Sequence, residues 1–345
     1  MNLTDRTKRA NIDSLPLTLF MEPHMFRLSR AFQAVLLSVT ASTAALAQNY
    51  PTCSPTIIVP FAAGGPVDIN GREIAEALSQ KLGASFVVEN RAGAGGVTGM
   101  KYVMSARPDG CTLLIGSPGP LVIIPASGTD SGDVLSQLIP IGIISESPQV
   151  FAVSSKLPAK SVDDVVKLAK AKPGAMNYGS AGIGTTPHLS AELFKKIAGI
   201  DIVHVPYRGT AAAIQDVLRG EINIIFGDTA ALKPFIDAGS LTALATTGTQ
   251  RSKLLPDVPA VNEVGFPDLT VSNYSALLVP IATPRPIVDT LVKALADIKN
   301  DPVFVGRLAA NGMTATPSSP EKAREFLAAE RRQWEPLVKS IGLKP

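Results

Sequence analysis

The chain has 345 residues, 46% of them apolar and only 5% aromatic, with a formal charge of +3 at neutral pH; that length buries one large core or two medium ones. Residues 1–47 hold five Lys or Arg against three Asp or Glu, which leaves 27 against 26 beyond them. A chain this close to neutral excludes nucleic acid as the expected partner.

Residues 1–24 are polar and precede a natural start at Met25, so they read as an extension upstream of the true first residue. Residues 25–47 read as a signal peptide: Arg27 and Arg30, an apolar run, then Ala45-Leu46-Ala47, the small-x-small pattern of a cleavage site after Ala47. The run is shorter than the roughly 20 residues that span a bilayer, so export to the periplasm is expected. In that oxidising compartment Cys53 and Cys111, each just before an apolar strand, form either a disulfide at one end of a sheet or two separate buried thiols.

Beyond the leader, short apolar runs alternate with amphipathic segments, the pattern of a parallel sheet covered by helices on both faces. Strands are expected at 56–60, 85–89, 112–116, 176–179, 202–205, 222–226 and 242–246. Ile74, Leu78 and Leu82 make one helical stripe closed by Gly83, and Leu189, Leu193 and Ile197 make another closed by Gly199. Ser161 with Asp164 resembles a capping box opening a helix that Pro173-Gly174 stops. Two extended stretches, 147–155 and 270–280, flank a block of about 120 residues, the size of one domain. The expected organisation is a first lobe from 48–149 and 276–345, with helices after Pro284 and Ser319, and an inserted second lobe from 150–275. Two α/β lobes joined by crossing strands imply a cleft, where small ligands bind.

Both lobes carry the same kind of turn. "PFAAGGPVD" joins strand to helix in the first lobe and "GSAGIGTTPHLSAELF" in the second, neither with a Lys or Arg. A helix N-terminus presents free N–H groups worth about half a positive charge, so matched turns on facing lobes point to a ligand carboxylate or phosphate. Other chemistry fits poorly. The glycines of "NRAGAGGVTG" miss the dinucleotide spacing at Thr98. There is no P-loop and no G-x-S-x-G, and neither His188 nor His204 has a metal-ligand neighbour in sequence. His204 reads as a hydrogen-bonded strand histidine, and His188, beside the glycine turn, is open to a binding or gating role.

These residues, with "NYGSAGIGTTPHLSAELFKKIAGIDIVHVPYRGTAAAIQDVLRGEINIIFGD" and the later "LPDVPAVNEVGFPDL" and "LLVPIATPRPIV", resemble the Bug family over essentially the whole chain after the leader. These are periplasmic solute-binding receptors of tripartite tricarboxylate transporters. The resemblance implies a two-lobed Venus-flytrap fold, each lobe a mainly parallel sheet flanked by helices. It implies a first ligand loop at Phe61, Ala62, Ala63, Gly64 and Gly65 with Asp68, and a second at Ser180, Ala181, Gly182, Gly184, Thr185 and His188. Tyr207, Gly209 and Thr210 follow from "VPYRGT", and Gly227 and Asp228 stand where the family has an Asp-Asn turn.

The expected mechanism is capture of a carboxylate by the amides of Ala62 to Gly64, closure by Ser180, Gly184 and Thr185, and inspection of the rest of the solute by Asp68, Tyr207 and Asp228. Asp68 would meet a ligand ammonium, hold ordered water, or only favour its helix dipole. The expected protein is a monomer with no metal, cofactor or catalytic residue, partnered by transporter subunits or by a membrane sensor kinase. The competing class is an exported hydrolase or isomerase using His188 and Asp228.

Overall fold

A computed structural model describes residues 50–128, 134–316 and 318–343; the extension and signal peptide expected over 1–47 lie outside the described residues. In chain order the elements are β1 (Thr56–Val59), α1 (Pro66–Leu82), β2 (Val87–Asn90), α2 (Val97–Met104), β3 (Thr112–Gly116) and β4 (Leu138–Ser154). There follow α3 (Val162–Ala171), β5 (Asn177–Ser180), α4 (Thr186–Ala198), β6 (Val203–Pro206), α5 (Thr210–Arg219), β7 (Ile224–Asp228), α6 (Thr229–Asp237) and β8 (Leu241–Thr246). The chain then returns through β9 (Ser272–Pro280), α7 (Arg285–Lys299), α8 (Pro302–Ala310), β10 (Thr314–Ala315) and α9 (Pro320–Ser340).

Local chemistry sets the helix ends. Pro66 opens α1, where its missing N–H has no partner to lose, and Gly83 closes it in the left-handed region at φ 66°. Ser161 Oγ accepts the Asp164 N–H and caps α3. The stripe along α1 puts Ile74 and Leu78 fully inside, each contributing about 1.5–3 kcal/mol of apolar burial.

The strands run in the order β2-β1-β3-β9-β4-β7-β5-β6, with β8 and β10 pairing β4. β1 is parallel to β2 and β3, and β5 is parallel to β6 and β7. The mainly parallel sheets expected for each lobe are present, and the antiparallel pairs fall at the crossing strands. β9 runs antiparallel to β3 and β4, and β4 runs antiparallel to β7 and β8, because the chain crosses between lobes along these two long strands. β4 pairs with β9 as far as Pro148 and with β7 from Gln149 onward, so one strand serves both lobes.

Each half of the sheet is covered on both faces. In the first lobe Ile74, Leu291 and Phe304 pack on one side, and Met100, Leu121, Trp334 and Leu337 on the other. In the second, Phe151 lies 4.8 Å from Phe194 and 4.5 Å from Phe226, ring centre to ring centre, while Ile214, Val217 and Leu232 fill the opposite face. Cys53 and Cys111 are joined in a disulfide, Cα atoms 6.1 Å apart. It lies at the N-terminal ends of β1 and β3, whose residues pair from Thr56 with Thr112, and so at the sheet edge opposite the β1–α1 turn.

Candidate functional site

A cleft of about 560 Å³ opens where the C-terminal ends of the strands meet the helix starts, the usual position for ligands in open α/β sheets. Three helices point their first turns at it. Gly65, Pro66 and Val67 come from the start of α1, Thr185, Thr186 and Pro187 from α4, and Gly209, Thr210, Ala211 and Ala212 from α5. Of the residues expected at the site, Phe61 to Gly65, Ala181, Thr185, Gly209, Thr210 and Asp228 line this cleft.

Gly64 has φ 83°, a conformation that side-chain-bearing residues rarely adopt. Its N–H donates to Asp68 Oδ2 at 2.9 Å. Two corrections follow. The Gly64 amide is already used, so it does not join Ala62 and Ala63 in holding an anion. Asp68 does not line the cleft; it is 3% exposed and works behind the loop. Arg72 meets both its oxygens at 2.9 and 3.0 Å, and Asn90 Nδ2 donates to it at 2.8 Å while also reaching Phe61 O at 3.0 Å. Burial pushes the Asp68 carboxyl up, but these donors together outweigh it and hold the group below its ordinary range. The charge is spent on the shape of the turn.

The second-lobe turn is held by neutral groups. Ser180 Oγ accepts from Gly182 N at 3.1 Å and lies 2.7 Å from His204 Nε2. Gly184 N donates to His188 Nδ1 at 3.2 Å, and Thr185 Oγ1 donates to Gly182 O at 2.7 Å. The two imidazoles stack 4.1 Å apart, with Tyr178 4.8 Å beyond His204. Burial, with the neighbouring ring and Lys195, pushes His188 down to about 3, and burial pushes His204 down to about 4. Ser180, Gly182, Gly184 and His188 therefore stand behind the cleft wall and not in it. Tyr207 is also withdrawn, its hydroxyl given to Asp216 at 2.5 Å, and Gly227 faces the Leu232 side chain.

Reasoning from sequence missed other members of the wall. Arg208, Ala211, Ala212 and Gln215 come from the β6–α5 turn and α5, Ser117 and Gly119 from the turn after β3, and Asn273 from β9. Arg208 is exposed and makes no ion pair among the described residues. Its signal was present, since "YRGT" places a cation beside the same kind of glycine turn. Arg91, by contrast, pairs with Glu89 at 2.7 Å and lies 3.6 Å over the Tyr102 ring, away from the cleft.

The lobes approach backbone to backbone beside the cleft. A Cβ on Gly119 would lie 3.0 Å from Gly184 O, tight enough that the facing backbone would have to give way by a few tenths of an ångström. Thr186 Oγ1 donates to Asn273 Oδ1 at 3.3 Å.

Two lobes, two crossing strands and a cleft at converging helix starts define a solute-binding protein of the periplasmic type. The chain belongs to the TctC family, the tripartite tricarboxylate transporter family receptors, whose model matches residues 71–343; this is a family of receptors and not of enzymes. It is 33% identical over 300 residues to Protein BugT of Bordetella pertussis, covering 86% of this chain and 92% of that one. Among solved structures it resembles R. palustris Rpa4515 with adipate, with a TM-score of 0.80 and 32% identity over 86% of this chain and 100% of that one. It also resembles MatC (Rpa3494) from Rhodopseudomonas palustris with bound malate, at a TM-score of 0.77 and 26% identity, over 84% and 100% of the two chains.

Proposed function

We propose that this receptor works outside the cytoplasmic membrane, closes its two lobes over a small carboxylate, and delivers it to the membrane subunits of a tripartite tricarboxylate-type transporter. The observation that carries the reading is the convergence of the α1, α4 and α5 first turns on one cleft, because the summed peptide dipoles there favour an anion without a buried cation. Relatives solved with adipate and malate agree with it in chemistry.

Pro66 and Pro187 remove one amide each from α1 and α4, whereas α5 begins Thr210-Ala211-Ala212 with every N–H present. The amides of Ala62 and Ala63 and the first turn of α5 hold the carboxylate, and Arg208 at the exposed side draws it in. Closure adds the contacts of α4, and a ligand shifts the open-closed balance only by what the closed form adds. We place the lobe boundaries near 149/150 and 275/276, where β4 exchanges partners. The signal peptide read over 25–47 supports export, and an exported protein beginning at Gln48 by mass spectrometry would bear it out.

A thermal-shift screen with mono-, di- and tricarboxylates, acidic amino acids and aromatic acids tests the reading, since a ligand of the native state raises the melting temperature. One class should raise it by several degrees. A screen in which only neutral or cationic solutes do so would overturn it.

A further inference from the structure

Asp228 is the acid of the cleft wall, and its protein surroundings leave it without a counter-charge. It ends β7 and takes the N-cap position of α6, where an aspartate ordinarily accepts an N–H from the second or third helical residue. Its side chain makes no such bond. Oδ1 instead accepts from two neutral donors on the crossing strands, Ser147 Oγ and Asn273 Nδ2, each at a long 3.3 Å. The residue is 5% exposed, and no cation among the described residues pairs with it.

The contrast with Asp68 is sharp. That carboxylate is equally buried but satisfied by Arg72, Asn90 and Gly64. A buried charge is tolerated when it is paired and fully hydrogen-bonded. Asp228 has half of that support, and burial accordingly pushes its carboxyl above the ordinary range. An acid kept in a ligand-facing wall with acceptor capacity to spare matches a solute that brings the missing donor, and a second ligand carboxylate placed there would meet like charge.

We propose that Asp228 selects the far end of the solute: the receptor takes carboxylates that carry an N–H or O–H donor, an ammonium or a hydroxyl, at the end meeting Asp228, and discriminates against plain dicarboxylates. This rests on the carboxylate-receptor reading above. Ser147 and Asn273, one from each crossing strand, hold the acid in place, so the group that inspects the solute is attached to the strands about which the lobes close.

Titration calorimetry at pH 7.5 with pentanoate, glutarate, 5-aminopentanoate and 5-hydroxypentanoate tests the proposal, because these share a chain length and differ only at one end. The amino or the hydroxy acid should bind at least tenfold tighter than glutarate, and which of the two leads tells ammonium from hydroxyl recognition. Asp228→Asn, which can donate as well as accept, should shrink that preference below threefold by improving glutarate. Glutarate binding as tightly as the donor-bearing acids, or an Asp228→Asn protein with the ranking unchanged, would overturn it. If the variant does not fold, the ranking on the unaltered protein decides. Tight glutarate binding refutes only the selectivity, whereas a protein that binds none of the four loses the carboxylate-receptor reading and this one with it.

Discussion

The turn before α1 and the turn before α4 hold equivalent places in their lobes but keep their shapes by opposite means. The first is wired through a buried carboxylate, an arginine and an asparagine, and the sheet beneath it is closed at its other edge by the Cys53–Cys111 disulfide. The second is wired through two stacked neutral imidazoles and a serine, and its lobe has no cysteine. Similar small-residue turns thus depend on different conditions. Acid should loosen the second before the first, and reduction should touch the first alone.

The largest separation should come from reduction. A bridge across 58 residues of sequence restricts the unfolded chain by about 4 kcal/mol in the loop-entropy account. Cys53→Ser/Cys111→Ser should lower the stability in urea by that order and leave solute affinity unchanged, because the bridge lies at the sheet edge away from the turns. A variant that keeps its stability but loses binding would reverse the assignment.

Acid comes next. His188 and His204 sit at about 3 and about 4 in the fold against about 6.5 in an unfolded chain. The unfolded state therefore binds more protons between those values, and stability falls as pH drops below 6.5. Because the unfolded ring is already half-protonated at pH 6.5, each imidazole costs about 1 kcal/mol between pH 6.5 and 5.5, so the pair costs at most about 2 kcal/mol, less for His204, which is only partly buried. Asp68 titrates lower: its contribution is complete above the ordinary carboxylate pKa and is lost only as pH falls further. Urea melts at pH 7.0, 6.0 and 5.0 should decline steeply, and His188→Gln should flatten the profile. An unaltered slope in that variant would show that the stacked pair is not the acid-sensitive element.

A smaller effect is expected at Asp68. Asp68→Ala leaves the Gly64 N–H and Asn90 without their acceptor, a loss of about 2 kcal/mol for buried donors, discounted on the Arg72 side because that side chain is 54% exposed. Solute affinity should fall about tenfold or more through disorder of the turn. Affinity equal to the parent's would mean that the loop keeps its shape without the carboxylate. Arg91→Gln marks the bottom of the scale: with its charge occupied by Glu89 and Tyr102, it should cost binding less than tenfold, or about 1.4 kcal/mol.

The sequence was most informative where short-range chemistry decides structure. β3 lies at 112–116 as its apolar run indicates, and Gly83 and Gly199 end their helices as left-handed caps. β5, β6 and β7 lie one or two residues further along the chain than their apolar runs suggest, because backbone pairing continues through ends that are not apolar, such as Ser180, Pro206 and Asp228. The first half of β4 carries no clear strand pattern in sequence because Pro140 and Gly142 interrupt it, and its register slips between 140 and 142 and again between 143 and 145.

At the site, the glycine turns were legible as turns. Their hydrogen bonds were not, since Asn90 and His204 come from other strands. Asn273 enters the cleft from the crossing strand β9, and one polar residue in an extended segment carries no local sign of that position. The amides of Gly64 and Gly184 are taken by side chains four residues on, while Ser180 is held by His204, 24 residues away on another strand, and residue type alone does not show which partner is taken.

The central claim is that main-chain amides at helix starts, and not a side-chain cation, hold the solute's carboxylate. A crystal structure of the complex with the strongest carboxylate ligand from the thermal screen tests it most directly. The account predicts carboxylate oxygens at about 2.7–3.2 Å from N–H groups of Ala62 or Ala63 and of the Thr210 to Ala212 turn, with Arg208 at most a further contact. A carboxylate paired with the Arg208 guanidinium and touching none of those amides would contradict it.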